Sequence, residues 1–144
     1  MKLTKEEYQK LLDMVYIGDW VTTNDSSGEE RPDTQEYTNA ISKFLSYAKD
    51  YELEELVEHY EDGFEVSRKF EDQSRAHNYI NQYENEVFWD ELVERLARRD
   101  MAAKHGKSVI TRVYKDENLF NELETIKQQY AQEFETNGLK NIKL

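Results

Sequence analysis

Residues 84–106, ENEVFWDELVERLARRDMAAKHG, constrain the fold more than any other stretch of the chain. Phe88, Trp89, Leu92, Val93, Leu96 and Ala103 fall on one side at 100° per residue, a helical period with no alternation of two. Asn85 reads as the N-cap. Glu84, Glu86, Asp90 and Glu91 crowd the start, and Arg95, Arg98, Arg99, Lys104 and His105 crowd the end, the gradient that a helix dipole favours. Glu91–Arg95 and Glu94–Arg98 are spaced i,i+4 with the acid first, and Gly106 supplies a C′ stop. Two charges interrupt the pattern. On a wheel centred on Leu92, Arg99 lies about 20° to one side and Asp100 about 80° to the other. Both fall in or beside the apolar stripe, where a lone charge is costly.

A chain built on such a helix must bury its stripe against others, and 144 residues predict one domain, 1–144, with a single core. A formal net charge of −12 argues against general nucleic-acid binding through phosphates. The ten Tyr contribute to an aromatic content sufficient for a core, which argues against full disorder. With no Cys there is no disulfide framework and no thiolate metal site, and a reducing cytoplasm fits. The N-terminus lacks an apolar signal segment, and no run approaches the roughly 18 apolar residues of a membrane span.

Leu3, Thr4, Glu7 and Tyr8 form a capping box with a staple. The helix that follows carries Tyr8, Leu11, Leu12, Val15 and Tyr16 on one face, with Trp20 at its edge and Asp19 intruding. Residues 22–33 are a polar, mobile loop. Asp33 and Glu36 repeat the capping pattern ahead of Tyr37, Ala40, Ile41, Phe44, Leu45 and Ala48 in an i, i+3, i+4 series. Leu53, Leu56, Val57 and Tyr60 predict a third helix, stopped by Gly63. The segment 64–67 is a candidate strand. Helix resumes from about residue 71 through Tyr79, Ile80 and Tyr83 and breaks near Asn85. Val109, Ile110, Val113 and Tyr114 suit a helical turn or, being partly β-branched, a strand. A last helix over about 116–136 turns Leu119, Phe120, Leu123, Ile126, Tyr130 and Phe134 inward and ends at Asn137 and Gly138. The tail, 140–144, is a second candidate strand. The predicted fold is an all-α single-domain bundle of five or six helices, with at most one short two-stranded element. Its core includes Leu12, Val15, Phe44, Leu45, Trp89, Leu92, Leu96, Leu123, Ile126 and Tyr130.

The run Phe88-Trp89-Asp90-Glu91-Leu92, Arg95-Leu96-Ala97 and Arg99-Asp100, with the ending Glu133-Phe134, Gly138-Leu139 and Ile142-Lys143-Leu144, resembles a family of small acidic bacterial proteins of no established function. The resemblance covers roughly the C-terminal half, carries no catalytic signature, and is departed from over 108–115. It implies a bacterial, cytoplasmic, mainly helical protein.

Four constellations bear on function. Glu54, Glu55 and Glu58 reproduce the EExxE half of the Mg²⁺ site of all-α nucleotide pyrophosphohydrolases, in which several carboxylates surround metal and phosphates. The other half, ExxD, is absent, and a solvated acidic face within 50–65 is the competing reading. His59 stands four residues after Glu55, as half a metal site or a surface pair. No E-x-x-H pair, Gly-rich phosphate loop, G-x-S-x-G or H-E-x-x-H occurs, so no metal, cofactor or catalytic residue is assigned. Arg95, Arg98, Arg99, Lys104, Lys107, Arg112 and Lys115 form a basic patch, which either meets a partner or answers the helix dipole. Asp19, Arg99 and Asp100 form a buried charge cluster, or the polar lining of a pocket with Tyr16 or Trp20, with Arg99 expected to be buried against Asp19.

These readings predict a non-enzymatic protein-interaction module of the bacterial cytoplasm that binds another protein and no membrane. It is a monomer, or a two-fold homodimer in which the basic patch of one copy meets the acidic run of the other. The alternatives are a Mg²⁺- or Mn²⁺-dependent nucleotide hydrolase using Glu54, Glu55 and Glu58, and an acidic inhibitor that mimics nucleic acid.

Overall fold

The structure, a computed structural model, describes residues 2–23 and 32–142. The expected polar loop at 22–33 lies outside the described residues over 24–31. Among the described residues there are six α-helices and one two-stranded antiparallel sheet, the all-α class with one short strand pair that the periodicities predict. None of these helices is long and apolar enough to cross a membrane. The chain divides into two compact units, Met1–Asn81 and Gln82–Leu144. Each has its own core cluster, where the sequence reading placed one.

In the first unit, helix α1 (Lys5–Thr23) starts on the expected capping box. The Glu7 amide donates to Thr4 Oγ1 at 3.2 Å, and the Thr4 amide donates to the Glu7 carboxylate at 2.8 Å. Tyr8, Leu12 and Tyr16, one turn apart in succession, are its buried face. Tyr8 is stacked between the rings of Phe44 and Tyr51, at centroid distances of 4.7 and 4.3 Å, and its hydroxyl donates to the Phe44 carbonyl. Helix α2 (Gln35–Leu45) has Thr34 at its N-cap position, without a side-chain cap bond to the helix, so the expected cap at Asp33 is displaced by one residue. Tyr37 and Ala40, read as inward, are exposed, and Leu45 and Ala48 carry the burial.

The third predicted helix is a 3₁₀ turn, Glu54–Leu56, followed by strand β1 (Val57–Tyr60) and strand β2 (Gly63–Val66). They pair as Val57↔Val66 through Tyr60↔Gly63. In a helix, Glu54, Glu58 and Asp62 would repel one another at i,i+4. The hairpin breaks up that column and lies on α2. The Phe64 amide donates to Ser42 Oγ at 2.8 Å, and a Cβ at Gly63 would meet that same oxygen at 2.3 Å, so only glycine fits. Gly63 also holds φ +138°, a backbone value that side chains disfavour.

Ser67 joins the hairpin to helix α3 (Arg68–Gln73). It is a buried polar residue among the described ones. Its hydroxyl donates to the Glu55 carbonyl at 2.8 Å and accepts from the Phe70 amide at 3.2 Å. Ser74 then donates to the Asp13 carboxylate at 2.6 Å and accepts from the Ala76 amide, where helix α4 begins.

Helix α4 (Ala76–His105) runs 30 residues without the break expected at Asn85. No Gly or Pro occurs between Gly63 and Gly106, and neither Asn85 nor its acidic neighbours forbid helical backbone. Its last stop is as expected, at Gly106 with φ +82°. Within the second unit its most buried residues are Ala97 and Met101. The buried stripe is therefore turned by about 160° from a centre at Leu92. Leu92, Leu96 and Trp89 are partly buried, and Phe88 and Ala103 are exposed.

Helix α5 (Val109–Arg112) runs into a 3₁₀ turn, Val113–Lys115, which settles the segment as helical, with Val109 and Val113 buried against Met101 and Leu123. Helix α6 (Glu117–Asn137) is capped by Asp116, which accepts from the amides of Asn118 and Leu119. Phe120, expected inward, is exposed. After Gly138 the chain forms turns through Ile142, and no strand occurs at 140–142. The rest of that predicted strand, 143–144, lies outside the described residues.

Candidate functional site

The basic patch is largely neutralised within the second unit. Arg95 pairs with Glu91 at 2.9 Å; Arg98 bonds Glu94 and donates to the Tyr114 hydroxyl. Lys104 and His105 both reach Glu122 of α6, at 2.6 and 3.0 Å. Lys127 of α6 reaches Glu94 at 3.1 Å and Glu124 at 3.0 Å. Burial pushes the Glu94 carboxyl up, but the bonds from Arg98 and Lys127 outweigh it and hold the group below its usual value. Of the patch, Lys107, Arg112 and Lys115 have no acidic partner among the described residues.

Arg99 is not buried against Asp19. Its side chain is 63% exposed and takes Asp100 as its carboxylate at 2.8 Å. A second guanidinium nitrogen donates to the Tyr130 hydroxyl at 2.9 Å, and that hydroxyl donates to Asp100 at 2.5 Å, closing a triangle. The bonds from Arg99 and Tyr130 lower the Asp100 pKa, and the bond to Asp100, then burial, raises that of Tyr130. Adjacent side chains on a helix diverge by about 100° at Cβ, but the reach of arginine spans the gap once the stripe is turned and Arg99 points outward.

Asp19 does line a pocket. In the first unit a cavity of about 300 Å³ is bordered by Tyr16, Asp19, Ile41, Phe64, Glu65 and Glu71, among others. Burial raises the Asp19 pKa, and the nearby Glu65 raises it further. Tyr16 is raised by burial, then by Glu71 and Asp19, and its hydroxyl lies 3.1 Å from His77 Nε2. The cavity thus joins Asp19 with Tyr16, as expected, but not with Arg99 or Asp100.

The acidic run is dispersed. Glu54 and Glu55 lie in the 3₁₀ turn and Glu58 in β1, so the EExxE spacing does not form one helical face. Glu55 pairs with Lys69 at 3.3 Å, Glu58 accepts from the Tyr60 hydroxyl at 2.6 Å, and His59 packs edge-on against Phe64. Among the described residues no three His, Asp or Glu side chains are grouped so as to hold a metal ion.

What the second unit leaves open is apolar. Between α4 and α6 lies a groove of about 340 Å³ lined by Trp89, Asp90, Val93, Ala131, Phe134 and Glu135. Trp89 and Phe134 face each other at 5.6 Å, and Tyr130 stacks on Phe134 at 5.9 Å. Phe88, 49% exposed, packs edge-on against Trp89 at 5.0 Å and extends the aromatic surface outward. Neither Asp90 nor Glu135 has a hydrogen-bond or ion-pair partner among the described residues. Phe134 is 8% exposed, inward as expected, whereas Trp89, read as a core residue, is only partly buried and lines the groove. Its signal in the sequence is Asp90 following Trp89 and Glu135 following Phe134, an acid beside each aromatic.

No protein-family model, no curated protein and no solved structure matches this chain.

Proposed function

We propose that the protein is a non-enzymatic protein-interaction module of the bacterial cytoplasm, and that it binds its partner through the Trp89–Phe134 groove and the adjoining Phe88. The observation that carries this reading is the open aromatic groove continued by an exposed Phe88. Buried aromatic anchors dominate the energetics of protein contacts, and Trp and Phe are enriched there. In the basic patch Arg95, Arg98 and Lys104 are engaged with Glu91, Glu94 and Glu122, which leaves Lys107, Arg112 and Lys115 as a secondary contact.

The test is photo-cross-linking from position 88. A benzophenone side chain replacing Phe88 captures a discrete protein in cells, and the same group at the exposed Thr125 on α6 does not. Equal labelling from both positions, or none from position 88, removes the interaction surface from this groove.

A further inference from the structure

We infer that the occupant of the Trp89–Phe134 groove is a basic amphipathic segment of another protein, which lays an apolar side chain against the two rings and sets Lys or Arg against Asp90 and Glu135. The inference rests on the interaction reading above and adds to it the chemistry of the partner.

Charge carries the argument. Asp90 and Glu135 border the groove from opposite helices without a cationic partner among the described residues. No Lys or Arg occurs between Arg75 and Arg95 on the α4 side, nor between Lys127 and Lys140 on the α6 side. Over those same stretches α4 carries Glu86 and Asp90, and α6 carries Glu133 and Glu135, while Glu91 and Glu94 are already paired with Arg95, Arg98 and Lys127. Glu86 stands one turn before Asp90 and extends the acidic border along the helix. An apolar floor with a one-signed rim selects a segment that is apolar on one side and cationic on the other, the helix-in-groove mode of recognition. A chain with a net charge of −12 also steers cationic partners toward itself at long range.

A second copy of this chain fits less well. Of its unpartnered bases, Arg112 and Lys115 flank in sequence Tyr114, which is bonded to Arg98. Trp89 and Arg98 are nine residues apart, which sets them about 180° apart around α4. A copy docking its basic corner in the groove would therefore present its own groove on the opposite side. Such a contact does not close into a two-fold pair.

The test uses the full chain with Trp20→Phe, so that Trp89 is the only tryptophan. The probe is a Leu–Lys amphipathic model peptide, with a Leu–Glu peptide of equal length and apolar content as its counterpart. The Lys peptide is expected to shift Trp89 emission to the blue and to saturate. Its Kd should weaken as NaCl rises from about 50 to about 500 mM. It should also weaken roughly three- to tenfold in the double variant Asp90→Asn, Glu135→Gln, as the loss of two partly solvated ion pairs predicts. Equal binding of the Glu peptide, an unchanged Kd in the double variant, or no saturable change at all overturns the inference. A specific cross-link from position 88 together with any of these results would leave the interaction reading standing with a partner of different chemistry. A concentration-dependent dimer that competes with the peptide would assign the groove to a second copy instead.

Discussion

Replacing Ser67 with alanine should destabilise the first unit by about 2–3 kcal/mol, the sum of two separable losses. Ser67 is 4% exposed, so neither of its side-chain bonds is readily replaced by water. The first loss is the cap on α3. The Phe70 amide, which donates to Ser67 Oγ at 3.2 Å, is left without that partner, and removing a serine N-cap costs about 1 kcal/mol. The second is the Glu55 carbonyl, which accepts from the hydroxyl at 2.8 Å. A buried acceptor stripped of its donor costs roughly 1–3 kcal/mol, the lower half of that range applying because this carbonyl is only partly enclosed. The assay is urea unfolding followed by Trp20 emission in a Trp89→Phe background, so that the signal comes from the first unit. The midpoint should fall with the slope unchanged. Ser46, whose hydroxyl donates to the Lys43 carbonyl at the surface, is the control, and Ser46→Ala should cost under about 0.5 kcal/mol. If the two variants unfold alike, the hinge role of Ser67 between turn, hairpin and helix is refuted.

Asp19→Asn should stabilise the protein at neutral pH, because the folded state holds this carboxyl above its usual pKa and ionisation therefore opposes folding. That stability is present below 3.8 and lost as pH rises through the raised value. The gain over the parent in thermal melts should accordingly vanish toward pH 3.8, and a gain that persists there would contradict the assignment. Tyr8, pushed up from 10.0 to about 12 by burial, then by Tyr51 and Asp50, should ionise last among the tyrosines in an alkaline absorbance titration. Its contribution to stability is whole below pH 10.0 and lost as pH rises through about 12. A spectrum in which every tyrosine titrates near 10 would remove the stacked, water-excluded Tyr8. Met101→Ala should cost roughly 2–5 kcal/mol, whereas Arg99→Met should stay within about 1 kcal/mol. Calorimetry giving the reverse order would restore the stripe centred on Leu92.

The elements that were legible in the sequence are those whose cause is local. Thr4 and Glu7 cap α1 through bonds three residues apart, and Gly106 and Gly138 end helices through their own backbone freedom. The hairpin was hidden because Leu53, Leu56, Val57 and Tyr60 satisfy a helical spacing. What decides against the helix is distant, the Ser42 hydroxyl of α2 receiving the backbone of Phe64. The face of α4 was misread for a related reason. Large apolar side chains outnumber small ones around Leu92, yet α6 approaches where Ala97 allows it. That rotation turned Arg99 outward and changed its partner. Of the proposed pocket, Asp19 and Tyr16 were readable as an acid and a ring on one apolar face, and the carboxylates opposite them, Glu65 and Glu71, were not.

The bonds from Ser74 to Asp13 and from Tyr16 to His77 each join residues 61 apart in the chain. Until the chain has been made that far, the first unit cannot close, and its loop must be drawn in before those bonds repay the entropy. In the second unit the longest such side-chain bond among the described residues, Lys127 to Glu94, spans 33 residues. Nucleation should therefore come early and locally between α4 and α6, while the N-terminal part, synthesised first, waits for residues 74 and 77. On the ribosome the order of completion then lags the order of synthesis: Tyr8 can meet Phe44 and Tyr51 early, but Asp13 and Tyr16 of α1 lack their partners, and leave that end of its face available to chaperones, until the start of α4 has emerged.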